Sequence, residues 1–253
     1  MAHEFYAIDL PGKMLYKKPF NISIRRITPI EQRYIISLSQ KEQVSEKEYV
    51  DFLKKLIQFD NPEMTFEDLF YYDFQYILYR IRFTTYPKYP IKLKFVCRGK
   101  IFDENNKEIP CETEIKQDLD MGKLIINTPD DLPNLRTTID LENLGTTPIR
   151  QKIMGDDSVI SSFAEKNSID INDIQMRLLL LDLCLISNDK SLEEMWKLAE
   201  EGIITTSDIL EIEKWFGETN WGVKEEMIIK CPKCGKEESR GYYLTLDDFF
   251  SAF

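Results

Sequence analysis

Tyr86-Pro87-Lys88-Tyr89-Pro90 separates a stretch of sequence that reads as helix from one that reads as strand. Two prolines this close cannot continue a helix, because each lacks an N–H donor and pushes the residue before it toward extended backbone. Upstream stand three helix starts. Thr28-Pro29-Ile30-Glu31 supplies an N-cap, a proline at the first helical position and a capping-box acid, followed by Tyr34, Ile35 and Leu38 on one face. Ser45 to Glu48 repeats the signature ahead of Tyr49, Phe52, Leu53 and Leu56, and Thr65 to Asp68 is a third start. The third leads into Leu69, Tyr72, Tyr76, Ile77 and Tyr79, an aromatic stripe read as core packing. Ahead of all three, Pro11-Gly12 marks a turn, and Phe20, Ile22 and Ile24 alternate with Asn21, Ser23 and Arg25 as in a half-buried strand.

Downstream of the prolines, Leu93, Phe95 and Cys97 alternate on one strand, Asp103 to Lys107 reads as a turn, Cys111 to Leu119 as the return strand and Lys123 to Thr128 as a third. Together they predict an antiparallel meander. From Ile149 the pattern is helical again. Asp170 is placed to cap a helix running through Ile186, with Ile174, Leu178, Leu181 and Leu185 on one face and Met176, Leu180 and Leu183 widening it. A helix this apolar is central to a core or lies under another subunit. Cys184 within it reads as a small core hydrophobe. Ser191 to Ala199 and Ser207 to Phe216 form two more helices around a stop at Glu200-Glu201-Gly202. The tail returns to strand at Val223 to Lys230 and Gly241 to Leu246. The expected fold class is α+β: helical segments flanking a small antiparallel sheet, with a C-terminal cysteine-knuckle hairpin. The chain divides into residues 1–147 and 148–253, or folds as one elaborated domain.

Composition limits the function classes. Of 253 residues 43% are hydrophobic and 30% charged, a globular mix, and the formal charge is −11. That sign repels phosphate backbones and anionic membranes, so neither nucleic acid nor a membrane is an expected partner. No apolar run approaches the ~18 residues of a spanning helix, and no charged-then-apolar leader precedes a cleavage site, so folding in a cytoplasm is expected. His3 is the sole histidine, which removes the placed imidazole that many hydrolase mechanisms need. Asp130-Asp131 and Asp156-Asp157 could be imagined as a two-metal carboxylate site; acids at helix starts are read instead as capping. Glu142-Asn143-Leu144-Gly145-Thr146-Thr147 lacks the Gly-Lys-Ser pattern of a phosphate loop. No catalytic residues are assigned.

Cys231-Pro232-Lys233-Cys234-Gly235 is the motif with chemical content. Two thiolates two residues apart can face one tetrahedral metal, and the glycine allows the tight turn. Completing the site takes two more ligands. Cys97 and Cys111 lie on either side of the turn at Asp103 to Lys107, where a hairpin would bring them together. Four cysteines would then make a closed, structural zinc site joining the middle of the chain to its end. Free thiols, a disulfide formed after lysis, a degenerate site and completion by a second chain are the alternatives. Phe249, Phe250 and Phe253 stand on a short helix that Thr245 and Asp248 could cap. They either cover their own core or dock into a partner.

Read in order, these features carry a resemblance. A Phe20-x-Ile22-x-Ile24-Arg25 strand leads into Thr28-Pro29-Ile30-Glu31-Gln32, then Phe66-Glu67-Asp68-Leu69-Phe70 with Tyr79-Arg80-Ile81-Arg82. A cysteine-bearing β insertion follows, then Asp130-Asp131-Leu132-Pro133, Cys231-Pro232-Lys233-Cys234-Gly235 and a late Phe-Phe pair. The sequence resembles the baseplate hub and hub-assembly proteins of T-even-type and related contractile-tailed bacteriophages. The resemblance implies a structural or assembly role without catalysis. Its expected partners are other baseplate or tail proteins, with an oligomer as one form, and its expected places are the host cytoplasm during assembly and the virion tail. A zinc-ribbon adaptor binding a host or phage protein is the alternative function, and a carboxylate-dependent metal hydrolase a third.

Overall fold

The computed structural model describes residues 4–39, 46–131, 135–187, 190–244 and 249–250. His3, Ser45, Leu132, Pro133, Thr245, Leu246, Asp248 and Phe253 lie outside them. The fold is α+β, with seven α-helices and several small antiparallel sheets among the described residues.

β1 (Phe5–Ile8), β2 (Ile22–Arg25) and β3 (Ile57–Phe59) form an antiparallel sheet with β2 in the middle. The alternation at Phe20, Ile22 and Ile24 buries all three side chains. α1 (Pro29–Ser39) begins as its capping box predicts: the Thr28 N–H donates to Glu31 and the Glu31 N–H to Thr28 Oγ1. Glu31 also accepts from both terminal nitrogens of the buried Arg25 at 2.9 and 2.7 Å, which holds its carboxyl down to about 2 and fixes the path from β2 into α1. Ile35 and Leu38 face the core, while Tyr34 is exposed. α2 (Glu46–Lys54) follows.

The third helix start needs correction. The box at Thr65 and Asp68 closes only a short 3-10 turn, and α3 (Tyr71–Thr85) begins beyond it. The backbone between is engaged elsewhere: the Tyr71 N–H donates to Lys152 O, and Leu69 O and Glu67 O accept from Met154 and Gly155 at 2.8 and 2.9 Å. Helical bonding there would break this bridge. α3 is the spine of the first core, and Tyr72, Tyr76 and Tyr79 pack inward as the aromatic stripe predicts. Asp73, also on α3, is fully buried. Its Oδ1 accepts from the Gly12 N–H at 2.8 Å and from Trp221 Nε1 at 3.1 Å. Any side chain at position 12 would collide with this arrangement, since a Cβ there would lie 2.6 Å from Trp221 Nε1.

β4 (Ile91–Val96) pairs with β7 (Glu114–Leu119), Ile91 opposite Leu119. β5 (Lys100–Phe102) and β6 (Glu108–Pro110) form the hairpin between them. Its turn is set by Asp103, whose Oδ1 accepts from the Asn105 and Lys107 N–H groups. The expected third meander strand does not join. Asp120 caps a 3-10 turn over Met121–Lys123 that leads the chain away, and β8 (Ile125–Asn127) pairs instead with a strand from the far end of the sequence.

The next segment builds a second apolar cluster. β9 (Thr138–Leu141) and β10 (Gly145–Pro148) make a hairpin that the alternation did not reveal. α4 (Asp156–Asn167), α5 (Ile174–Leu185), α6 (Leu192–Glu200) and α7 (Thr206–Glu218) pack around Leu180, Leu183, Leu185, Met195 and Ile212. α5 starts later than expected. Asp173, not Asp170, caps it by accepting from the Gln175 N–H, while Asp170 accepts from the Asn172 N–H in the preceding turn. Gly202 ends α6 at φ +72°, a conformation glycine adopts without strain.

β11 (Gly222–Lys224) completes the pair with β8, and β12 (Glu226–Lys230) pairs with β13 (Glu237–Gly241). The return strand therefore ends where the sequence placed its beginning. This last segment packs into the first cluster, which draws on residues 8–119 and 223–250; the second draws on residues 139–215.

Asp182, inside α5, is 5% exposed, and one carboxylate oxygen has no hydrogen-bond partner among the described residues. Burial, with the Glu213 carboxylate adding to it, pushes its acid up to about 7. An unfolded aspartate ionises near ~4, so across the window from there to about 7 the unfolded chain loses its proton first. Stability therefore falls as pH rises through that window. Urea unfolding at a series of pH values is expected to show this fall in the wild type and a flatter profile in Asp182→Asn.

Candidate metal centre

Four sulfurs converge where the two cysteine hairpins meet. The Cys97, Cys111, Cys231 and Cys234 sulfurs all lie within 4.8 Å of one another, with Cys97 to Cys234 at 3.5 Å and Cys111 to Cys231 at 3.7 Å. Ligands at ~2.3 Å in a tetrahedron stand roughly 3.8 Å apart, close to the two shorter separations, so the four thiols can hold one metal ion between them. All four are free thiols; the first three are buried and Cys234 is partly so.

Each hairpin positions its pair through backbone bonds. Cys97 follows β4 and its N–H donates to Thr113 O; Cys111 follows β6 and its N–H donates to Gly99 O at 2.9 Å. These bonds close the base of the β5–β6 hairpin and set the two thiols side by side. In the second hairpin the Gly235 N–H donates to Cys231 O and the Cys231 N–H to Lys236 O, with Gly235 at φ +73°. The tight turn that the motif requires is therefore formed.

The surroundings favour thiolate. Backbone amides of Cys234 and Lys233 point at the Cys231 sulfur and bring its thiol down to about 6. The Thr113 hydroxyl lowers Cys111, and the Gly99 N–H reaches Cys97 Sγ at 3.2 Å, although burial pushes Cys97 up to about 12. A bound cation reverses that burial cost, because a coordinating thiol is deprotonated outright. With sulfur in all four places and no position left open, such a centre is closed and structural.

The family described as T4 bacteriophage base plate protein matches residues 9–251. The chain belongs to that family. No curated protein and no solved structure matches it. In this baseplate-family chain the match spans both apolar clusters and all four cysteines.

The other sequence candidates have different places. Asp156 is buried and accepts from both terminal nitrogens of Arg150, at 2.7 and 2.9 Å, and from the Ile153 N–H. Asp157 pairs with Lys152 and Arg177. Both acids are thus engaged at the start of α4, and Asp130 is exposed. Cys184 contacts Arg150 and Asp156, far in sequence from the other thiols. Phe249 and Phe250 are buried in the first core, against Tyr79 and Phe52. Phe250 O accepts from Tyr86 Oη and Gln32 Nε2. In the chain by itself these two rings cover their own interior.

Sequence reading did not single out Gly99. A Cβ there would lie 2.6 Å from Cys234 Sγ and 3.1 Å from Cys97 Sγ. The signal was present in Cys97-Arg98-Gly99, a glycine after a cysteine as in the second knuckle. Gly99→Ala is expected to weaken metal binding by at least about tenfold, measured by competition with a coloured chelator. Stripping the metal from the wild type is expected to lower Tm by more than about 5 °C, one kcal/mol being worth about 2–4 °C at this size.

Proposed function

We propose that this chain is a structural or assembly component of the phage baseplate hub. It acts through contacts with other baseplate and tail proteins and without catalysis, and its four cysteines hold one structural zinc ion. The family match over residues 9–251 carries the first part. Baseplates are assembled from many protein subunits, so membership favours a role read in contacts. The sulfur geometry supports the second part: tetrahedral four-sulfur sites suit zinc or iron, and zinc brings no redox chemistry to a site whose task is to hold two hairpins together. On this reading the protein is made in the host cytoplasm and meets its partners there, on the way to the virion tail.

Zinc here acts on the fold alone. The thiolates of Cys97 and Cys111 anchor the β insertion, those of Cys231 and Cys234 anchor the C-terminal hairpin, and the metal binding energy becomes folding energy. Phage carrying Cys231→Ser are expected to give few complete tails by electron microscopy, with yield restored by the wild-type chain supplied in trans. Normal tails from phage lacking the whole gene would defeat the assembly reading. A purified wild-type chain that holds no metal and melts identically with and without chelator would defeat the zinc reading.

A further inference from the structure

Nearly all the net charge of this molecule falls in one segment. Residues 138–218 hold 17 of the 44 acidic and 7 of the 33 basic residues, a formal −10 out of −11. That segment is the hairpin and four helices of the second cluster. Within it α5 is apolar on almost every side, yet Ile174 is 59% and Leu178 40% exposed. Leu178 stands one turn before Asp182, on the same face of the helix. On α7, which packs against α5, Leu210 is 60% exposed and stands three residues before Glu213.

Asp182 on α5 and Glu213 on α7 put two acids near the contact of the two helices. Asp182 is 95% buried with an oxygen to which nothing donates among the described residues, and the Glu213 carboxylate acts on it across the helix pair. A buried carboxyl oxygen without a partner is costly. A cation approaching from the Glu213 side would offset that cost, since Glu213, the charged neighbour that acts on Asp182, carries the same sign.

We propose that the α5–α7 face docks an amphipathic helix of another baseplate or tail protein, its leucine-like residues on Ile174, Leu178 and Leu210 and a lysine or arginine on the Asp182–Glu213 pair. A second copy of this chain is excluded as occupant on charge, because two faces of a −10 segment repel. A basic helix satisfies all three observations at once: the field of the segment, the exposed leucines and the orphaned oxygen. The face deepens the assembly reading, on which it rests for the existence of a partner.

The full-length protein can be titrated against a labelled helix-forming peptide with leucine at i, i+3, i+4 and i+7 and lysine elsewhere, followed by fluorescence anisotropy. Leu178→Ser and Glu213→Gln alter exposed side chains, so the fold is expected to stand, as far-UV circular dichroism checks. Each is expected to weaken peptide binding by at least about tenfold, and added salt to weaken it further in the wild type. A peptide of equal charge with serine for leucine is expected not to bind. Equal binding of the serine peptide, or Leu178→Ser binding as tightly as the wild type, overturns the proposal. So does a wild-type dimer in sedimentation that Leu178→Ser converts to monomer. Tail yield tests the assembly reading and peptide affinity tests this face, so each can fail alone.

Discussion

A carboxylate with no solvent exposure ties three remote stretches of this chain together. Asp73 on the spine helix accepts from the backbone of Gly12 and the indole of Trp221. These two bonds offset part of the cost of burying the acid, whose other oxygen has no partner among the described residues and whose carboxyl is pushed up by burial. Gly222 comes next, at φ +86°, and a Cβ there would stand 3.0 Å from the Tyr72 carbonyl. That close approach starts β11, which pairs with β8 and leads into β12 and the second cysteine hairpin. The geometry of the sulfur cluster thus begins at a hydrogen-bonded carboxylate in the core.

The sulfurs in turn solve a problem of the periphery. Every sheet beyond the first is a two-stranded pair among the described residues, and such hairpins are marginal alone. The β5–β6 hairpin buries little of itself: Lys100 and Phe102 are exposed and Ile101 only half-buried. Joining it to β12–β13 through four thiols whose partners lie 137 and 120 residues apart gives each hairpin a fixed neighbour. The ordering cost of so long a closure is met by the core, so a metal bound there would set only the last contacts.

The two apolar clusters differ in what they show to the outside. The first is nearly neutral in sum and closes its own aromatic interior, down to Phe249 and Phe250. The second carries almost all the net charge, while both leave apolar side chains at the surface, Ile30 and Phe102 beside the first and Ile174 and Leu210 on the second. The bridge of residues 67–71 with 152–155 joins them through backbone bonds.

The sequence by itself determined the local elements and the ligand types. The capping box at Thr28, the stop at Gly202, the alternation at Ile22 and Ile24 and the Cys231–Gly235 knuckle all depend on neighbours a few residues away, and each has its expected form. Only the tertiary structure decided what depends on distant partners. A good capping box at Thr65 yields one short turn because residues 152–155 claim the following backbone. β8 leaves its expected meander for β11, and Asp182, seen in sequence as a break in an apolar run, is buried with one oxygen unpartnered among the described residues. Hydrogen-bond partners and dielectric surroundings are set by packing, and packing is a property of the whole chain.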